Sequence, residues 1–213
     1  TSAMRDAANG PELVEKIFEK TGINIEIIEG REEARLISAD LMRTLSGKDD
    51  ATFLYVDVGG GSTELNIVHE GELIDSRSFN LGTIRQISGM VRDEEREAFA
   101  TYLKELSEKH PKLHLVGTGG NINKLLRLGA PAERANINVL PVESLRQVAE
   151  RLRPLTPEER MLLFRLKPDR AEVIVPAADI FLTVASITSS TEIIVPTKGL
   201  ADGIVDSICP AFS

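Results

Sequence analysis

Val56-Asp57-Val58-Gly59-Gly60-Gly61-Ser62-Thr63-Glu64 is the stretch that decides the fold of this 213-residue chain. A largely apolar run, Thr52 to Val58, precedes the glycines, and the alternating run Thr63 to His69 follows them. Such runs with a turn between them predict two paired strands. A second turn at Glu70-Gly71 leads into the run Glu72 to Phe79, so we predict a meander of three strands.

The three consecutive glycines predict a phosphate-binding loop. Glycine loses the most backbone entropy on folding, so a run of three needs a reason. Without side chains in the way, the amides of Gly59, Gly60 and Gly61 can converge on an anion, and Ser62 and Thr63 add hydroxyl donors. A hairpin turn without function is the simpler alternative, but a tight hairpin needs only one or two residues with positive φ.

Two carboxylates flank this predicted loop, Asp57 at the end of the first strand and Glu64 just past the turn. Carboxylate, water and phosphate oxygens are the ligands that Mg²⁺ prefers, so Asp57 and Glu64 are the candidate metal residues and Mg²⁺ is the expected cofactor. The segment is not a Walker A loop, because no Gly-Lys-Ser/Thr follows and the next element is a strand.

A second glycine loop lies further along, where a predicted strand enters Gly117-Thr118-Gly119-Gly120 and a helix leaves it. The amides and dipole at a helix N-terminus favour an anion. The spacing is not the full dinucleotide fingerprint, and an ordinary strand-to-helix turn explains it equally well when it is taken alone. Two such loops in one chain indicate phosphate binding more specifically than either does.

Glu33 is the candidate general base. It lies in the first turn of a helix predicted over residues 31–45, four residues before Ile37 in the apolar stripe, so its carboxylate borders the buried face. An inward carboxylate beside a phosphate site can take a proton from an attacking water. Glu32 needs no such role, because an acidic first turn offsets the helix dipole. Four basic residues lie near the loops or segment ends and are weaker candidates for substrate contact: Arg5, Arg85, Lys124 and Lys198.

The rest of the chain predicts a mixed α/β order, with Lys48-Asp49-Asp50 as a domain boundary. The predicted strands are Ile23 to Ile28, Lys112 to Val116 and Glu192 to Val195. The predicted helices cover Pro11 to Lys20, Asn121 to Leu128, Arg170 to Ile187 and Gly199 to Ile208, and others begin at Asp93, near Pro141 and at a Thr156/Glu159 capping box.

Composition excludes several classes of protein. The formal net charge of −8 argues against general binding to nucleic acid or to an anionic membrane, which needs a basic face. The single cysteine, Cys209, fits a reducing compartment, and the apolar stretch Val173 to Ile187 contains Pro176 and Asp179, which makes it a poor membrane span. We therefore expect a soluble cytoplasmic protein. We expect an exposed His69 and no metal at the histidines, since Pro111 separates His110 from His114.

These segments together resemble the exopolyphosphatase / guanosine pentaphosphate phosphohydrolase (Ppx/GppA phosphatase) family. The matching stretches run in the family's order along the chain: residues 1–7 with Asn9-Gly10, then 30–37, 57–65, 78–85, 117–120 and 199–204. The resemblance implies a ribonuclease H-like fold of the actin and sugar-kinase superfamily, with a mixed sheet and flanking helices. It implies that Glu33 is the catalytic base, that Asp57 and Glu64 hold Mg²⁺, and that Gly59 to Thr63, Gly117 to Gly120 and Arg5 bind phosphate.

The resemblance also implies a first lobe with an Asp-x-Gly-Ser-Asn-Ser loop, which this sequence does not contain. Residues 1–48 then correspond to the end of that lobe, with the catalytic-Glu helix, and residues 49–213 to the second lobe. The implied substrates are inorganic polyphosphate and guanosine pentaphosphate or tetraphosphate, and a homodimer is implied only by analogy. With half of the cleft missing, we expect these residues alone to be nearly inactive.

Two other readings stay open. An actin-like ATPase or sugar kinase shares glycine hairpins that hold phosphates, although Glu-Glu-Ala-Arg before the loop disfavours it. A module that binds polyphosphate or guanosine tetraphosphate without cleaving it is the non-enzymatic alternative. A purely structural or dimerisation domain leaves the triple glycine unexplained.

Overall fold

The computed structural model describes residues 7–28, 51–70, 72–129, 132–134 and 137–196. In these ranges the strands form one mixed sheet of seven strands in the order β3-β2-β1-β4-β7-β6-β5. The strands are β1 (Thr52–Val58), β2 (Thr63–His69), β3 (Glu72–Phe79), β4 (Leu113–Thr118), β5 (Ala132–Arg134), β6 (Ile137–Pro141) and β7 (Glu192–Val195).

The helices of the same ranges are α1 (Gly10–Thr21), α2 (Thr83–Ile87), α3 (Asp93–Lys109), α4 (Gly119–Leu128), α5 (Val142–Leu152), α6 (Pro157–Phe164) and α7 (Pro168–Ile187). The capping box predicted for α6 is present: the Thr156 side chain accepts from the Glu159 amide, and the Glu159 carboxylate accepts from the Thr156 amide. Pro157 and Pro168 sit in the first turns of α6 and α7, where a proline leaves no additional amide unsatisfied.

The predicted three-strand meander is confirmed, because β1 pairs antiparallel with β2 and β2 pairs antiparallel with β3. On its other side β1 pairs parallel with β4, which in turn pairs parallel with β7. Both glycine loops follow the carboxyl ends of adjacent parallel strands, β1 and β4. The sheet therefore brings the two loops to the same edge, although they are far apart in sequence.

The main core lies between one face of the sheet and helices α3, α4, α5 and α7. Alternation along β1 sends Leu54, Val56 and Val58 into this core, while Phe53 and Tyr55 join a smaller buried cluster on the opposite face. Asp57 follows Phe53 and Tyr55 in the alternation of β1, so it lies on the side of the sheet opposite to the main core.

Several sequence predictions need correction. Residues 22–28 contain no strand, although they alternate, because alternation alone supplies no partner strand; Ile23 is 61% exposed. The short helix α2 and the β5–β6 hairpin were not predicted, since both are too short to show a period. His69 is half-buried, not exposed, with its Nδ1 3.0 Å from Thr52 Oγ1.

Some predictions lie outside the described residues, namely Arg5, the helix over 31–45 with Glu33, and the helix Gly199 to Ile208. In the part of the chain that the structure covers, no helix combines the length and the apolar character needed to cross a bilayer.

Candidate phosphate-binding site

The glycines of the β1–β2 turn are not needed for backbone conformation. The ladder closes at the pair Val58 and Thr63, and the Gly59 amide donates to the Ser62 carbonyl at 2.9 Å. None of Gly59, Gly60 and Gly61 has a positive φ. Gly60 and Gly61 are exposed at the tip of the hairpin. A need for open space around the backbone, which the sequence argument assumed, therefore explains these glycines better than a turn requirement does.

The carbonyls of the three glycines all accept hydrogen bonds from one segment, the start of α2. Thr83 N donates to Gly59 O at 3.0 Å, Ile84 N to Gly60 O at 2.9 Å, and Arg85 Nε to Gly61 O at 2.8 Å. The amides of Gly60 and Gly61 make no hydrogen bond within the described ranges. The acceptors of the glycine turn are thus occupied, while the Gly60 and Gly61 amides at its exposed tip are donors of the kind that an anion site needs.

Gly82 makes this arrangement possible. It is buried against the hairpin, and a Cβ at this position would overlap the Gly60 carbonyl and the carbonyl carbon of Gly61. Only glycine allows the two backbones to approach so closely. No local pattern in the sequence distinguishes Gly82 from an ordinary loop glycine, although it lies in one of the stretches that resemble the family.

Asp57 occupies the centre of the site. Its direct partner across the antiparallel pair is Glu64, and its partner across the parallel pair is Thr118, the last residue of β4. Residues directly opposite each other in a sheet project to the same face with neighbouring Cβ atoms. The two carboxylates that the sequence predicted as metal residues are thus brought together, next to the start of the second loop.

The two hydroxyl residues of the hairpin have different environments. Ser62 Oγ donates to Glu64 Oε1 at 2.8 Å and so orients one of the candidate metal carboxylates. Thr63 is fully buried, and its hydroxyl donates to the Leu81 carbonyl at 2.5 Å. The Thr63 hydroxyl therefore stabilises the base of the hairpin and does not point from its exposed tip.

The second loop lies against Asp57. Gly119 has φ +87°, and a Cβ there would lie 2.6 Å from Asp57 Oδ1, so both conformation and proximity require glycine. Gly117 differs, because it is buried and a Cβ there would lie 2.6 Å from Ile122 Cγ1. Gly117 therefore serves core packing, while Gly119 and the exposed Gly120 form the accessible start of α4.

A hydrogen-bonded chain that the sequence analysis missed supports this loop. The buried Asn121 donates through Nδ2 to Val58 O at 2.9 Å and accepts from Arg170 Nη1 at 2.5 Å. A Cβ at Gly120 would lie 2.5 Å from Arg170 Nη2, so the guanidinium lies directly against the loop. Arg170 comes from the first turn of α7, and no local pattern indicates that it reaches a loop 50 residues earlier.

The donor set fits Mg²⁺ shared with a substrate. Asp57 and Glu64 offer oxygen ligands, and the described ranges contain no cluster of three acidic, histidine or cysteine side chains that could hold a metal. Mg²⁺ commonly takes one or two carboxylates and completes its shell with phosphate oxygens and water. Asp57 and Glu64 suit that kind of site, not a closed protein cage.

The candidate site lies at the carboxyl ends of β1 and β4, at one edge of the sheet. Two clefts within the described ranges have volumes of about 440 and 220 Å³, and neither is lined by residues of the glycine loops. The larger is formed by α2, α3 and α7 with Leu81, and the smaller lies at the opposite end of β4.

The chain belongs to the Ppx/GppA phosphatase family, whose profile matches residues 1–212. It is 29% identical over 198 residues to exopolyphosphatase 2 of Mycobacterium tuberculosis, covering 82% of this chain and 61% of that protein. It is 37% identical over 93 residues to the guanosine-5'-triphosphate,3'-diphosphate pyrophosphatase of Aliivibrio fischeri, covering 44% of this chain and 18% of that protein. The chain thus spans less than two thirds of the length of these relatives.

Solved structures support the same assignment. The Ppx/GppA family member of Aquifex aeolicus matches with a TM-score of 0.72 at 28% identity, over all of this chain and 74% of its own. An exopolyphosphatase from Cytophaga hutchinsonii matches with a TM-score of 0.79 at 23% identity, again over all of this chain and 74% of its own, which supports the fold alone. The fold is the ribonuclease H-like fold of the actin-like superfamily, as the resemblance predicted.

Proposed function

We propose that the protein to which this chain belongs is a phosphoanhydride hydrolase that releases the terminal phosphate of inorganic polyphosphate or guanosine pentaphosphate. One observation carries the proposal. The unused amides of Gly60 and Gly61 lie at the same sheet edge as the Asp57–Glu64 pair and the N-terminus of α4. Amide donors with adjacent carboxylates suit a phosphoryl group and its metal, and membership of the Ppx/GppA family points to the same chemistry.

Each part of the site has a role in this proposal. The hairpin amides and the start of α4 donate to phosphoryl oxygens, and Arg170 adds a positive charge beside Gly120. Asp57 and Glu64 hold Mg²⁺, with Glu64 oriented by Ser62. When bound, Mg²⁺ would neutralise charge on the phosphoryl oxygens. We also assign phosphate contact to Arg5, from the resemblance alone.

Glu33 acts as the general base in this proposal, on the resemblance and on its place in the predicted helix. It takes a proton from a water whose oxygen attacks the terminal phosphorus. The bond from that phosphorus to the bridging oxygen breaks, which releases inorganic phosphate and a chain one phosphate shorter.

The expected setting is the cytoplasm, supported by the single cysteine and the acidic net charge. Because phosphoryl transfer depends on groups from both sides of a cleft, we propose that the second lobe needs the first lobe for activity. A homodimer, with an extended polyanion spanning both copies, stays a prediction by analogy.

Phosphate release from both substrates, measured with the full-length protein and its Glu33→Gln variant, tests the proposal. We expect a loss of about 100-fold or more in kcat for Glu33→Gln, which begins at the lower end of the range for a general base. Glu32→Gln is the matched control, because the sequence predicts that this neighbouring carboxylate only offsets a helix dipole, and its removal should leave the rate nearly unchanged. Equal rates for Glu33→Gln and wild type would refute the assignment of the base.

The substrate panel also tests the alternatives. Tight binding of polyphosphate or guanosine tetraphosphate without phosphate release by the full-length protein would favour a binding module. Phosphorylation of a sugar at the expense of a nucleotide would favour a kinase, which the family assignment already makes the weaker alternative.

A further inference from the structure

Two hydrogen bonds hold Arg85 at the tip of the hairpin, one from its backbone and one from its side chain. Its amide donates to Gly60 O at 3.3 Å, and its Nε donates to Gly61 O at 2.8 Å. The guanidinium is therefore tied to the third glycine of the turn, next to the amides that have no protein partner.

The two terminal nitrogens of the Arg85 guanidinium are not held in this way by the described residues. Within the described part of the chain, its Nη1 and Nη2 groups make no hydrogen bond or ion pair. Other arginines of the same lobe use these groups on protein partners, as in the contacts of Arg153 with Asp179 and of Arg170 with Asn121. Arg85 thus carries a positive charge and four N–H donors that the described protein does not use.

A guanidinium in this state is suited to a phosphoryl group. The planar fork matches two phosphate oxygens, and the resulting charge-assisted bonds are about twice as strong as neutral ones. Because Nε is already bound to Gly61 O, the side chain has lost part of its rotamer freedom before a ligand arrives. Less entropy is therefore lost when the two terminal nitrogens bind an anion.

We propose that Arg85 binds a phosphoryl group of the substrate at the tip of the hairpin, beside the amides of Gly60 and Gly61. The proposal rests on the proposed function for the class of substrate, and it adds a residue that determines affinity for the phosphate chain. The hydrogen bond from Nε to Gly61 O positions the Arg85 guanidinium, and its Nη1 and Nη2 groups bind the phosphoryl oxygens.

Calorimetry with tripolyphosphate in the absence of Mg²⁺, on the full-length protein, tests binding without turnover. Arg85→Gln keeps an amide that can donate to Gly61 O but removes the charge, and we expect its Kd to rise about tenfold, as for the loss of one charge-assisted contact. Arg85→Lys keeps the charge without the planar fork and should give an intermediate Kd. Arg127→Gln, at the far end of α4, removes an exposed charge remote from the loops and should bind like wild type.

Kinetics with polyphosphate separate this role from a structural one. We expect Arg85→Gln to raise KM about tenfold while kcat stays within about twofold, as for binding that is equal in the ground and transition states. The melting temperature should match that of Arg127→Gln. Unchanged Kd and KM in Arg85→Gln, or a rise that Arg127→Gln reproduces, would overturn the proposal.

The two proposals fail differently. If wild type binds tripolyphosphate and Arg85→Gln binds it weakly, but neither releases phosphate, the hydrolase is refuted and the Arg85 contact stands. If wild type hydrolyses polyphosphate and Arg85→Gln does so with the same KM, the Arg85 contact is refuted and the hydrolase stands. A wild-type protein that neither binds nor hydrolyses would refute both.

Discussion

Asp57 and Glu64 are direct partners across the β1–β2 ladder, one pair before the ladder closes at the glycine turn. Six residues separate them along the chain, and hairpin register alone places their side chains on one face. The second glycine loop lies against the Asp57 side chain, because a Cβ on Gly119 would touch its carboxylate. The site is thus organised around one carboxylate that two loops share.

Asp57→Asn and Glu64→Gln should each abolish most of the Mg²⁺-dependent phosphate release of the full-length protein. Each change removes one of two adjacent negative charges while keeping the side-chain shape. We expect kcat to fall about 100-fold or more, comparable to the loss of a main electrostatic group in an active site. Rates measured across a Mg²⁺ titration check this. Glu94→Gln, in the exposed first turn of α3, is the control and should behave as wild type.

Gly82→Ala and Gly61→Ala should separate folding from binding. A Cβ at Gly82 overlaps the hairpin backbone, so Gly82→Ala should lower stability by about 1–3 kcal/mol, in the range for overpacking. A Cβ at Gly61 meets nothing within 4 Å and φ there is not positive, so Gly61→Ala should fold normally. Its methyl group lies at the exposed tip and should weaken phosphate release. Urea unfolding and activity assays on both variants check this, and a stable, fully active Gly82→Ala protein would contradict it.

Asn121→Ala should destabilise the second lobe. Asn121 is buried, and its loss removes the hydrogen bond to the Val58 carbonyl and the hydrogen bond from Arg170 Nη1. An unsatisfied buried polar group costs about 1–3 kcal/mol, which is the expected fall in the free energy of unfolding. Asn123→Ala removes an exposed bond to Gly119 O and should cost less. Equal losses for the two variants would contradict the role given to the buried chain.

His110 should make stability depend on pH. Burial lowers its pKa below the ordinary 6.5, with further contributions from the charges of Lys109 and His69. The unfolded chain then takes up the proton more readily than the folded one, so this stability is complete above about pH 6.5 and falls as the pH falls below it. We expect urea midpoints at pH 7.5 and 5.5 to differ less in His110→Asn than in wild type. An unchanged difference would exclude His110 as a source of this pH dependence.

The sequence predicted those elements whose structure is set by residues close together along the chain. The bounds of β1, β2, β3 and β7 match the runs identified from the sequence, and so does the capping box of α6. The apolar run of β1, the alternation of β2 and the glycine turn between them carry enough information to set the register of this hairpin. The pairing of Asp57 with Glu64 follows from that register, so this half of the site could be predicted.

The sequence determined the glycine hairpin and its two carboxylates, because Asp57 and Glu64 are separated by only six residues and a short turn between two strands places them opposite each other. The tertiary structure alone decided that β4 lies beside β1, that Gly82 packs under the turn, and that Arg170 reaches Gly120. These contacts join segments 20 to 60 residues apart, and they depend on strand order and helix packing, which no local periodicity encodes. The alternating residues 23–28 illustrate the converse, since a strand pattern without a partner strand does not make a strand.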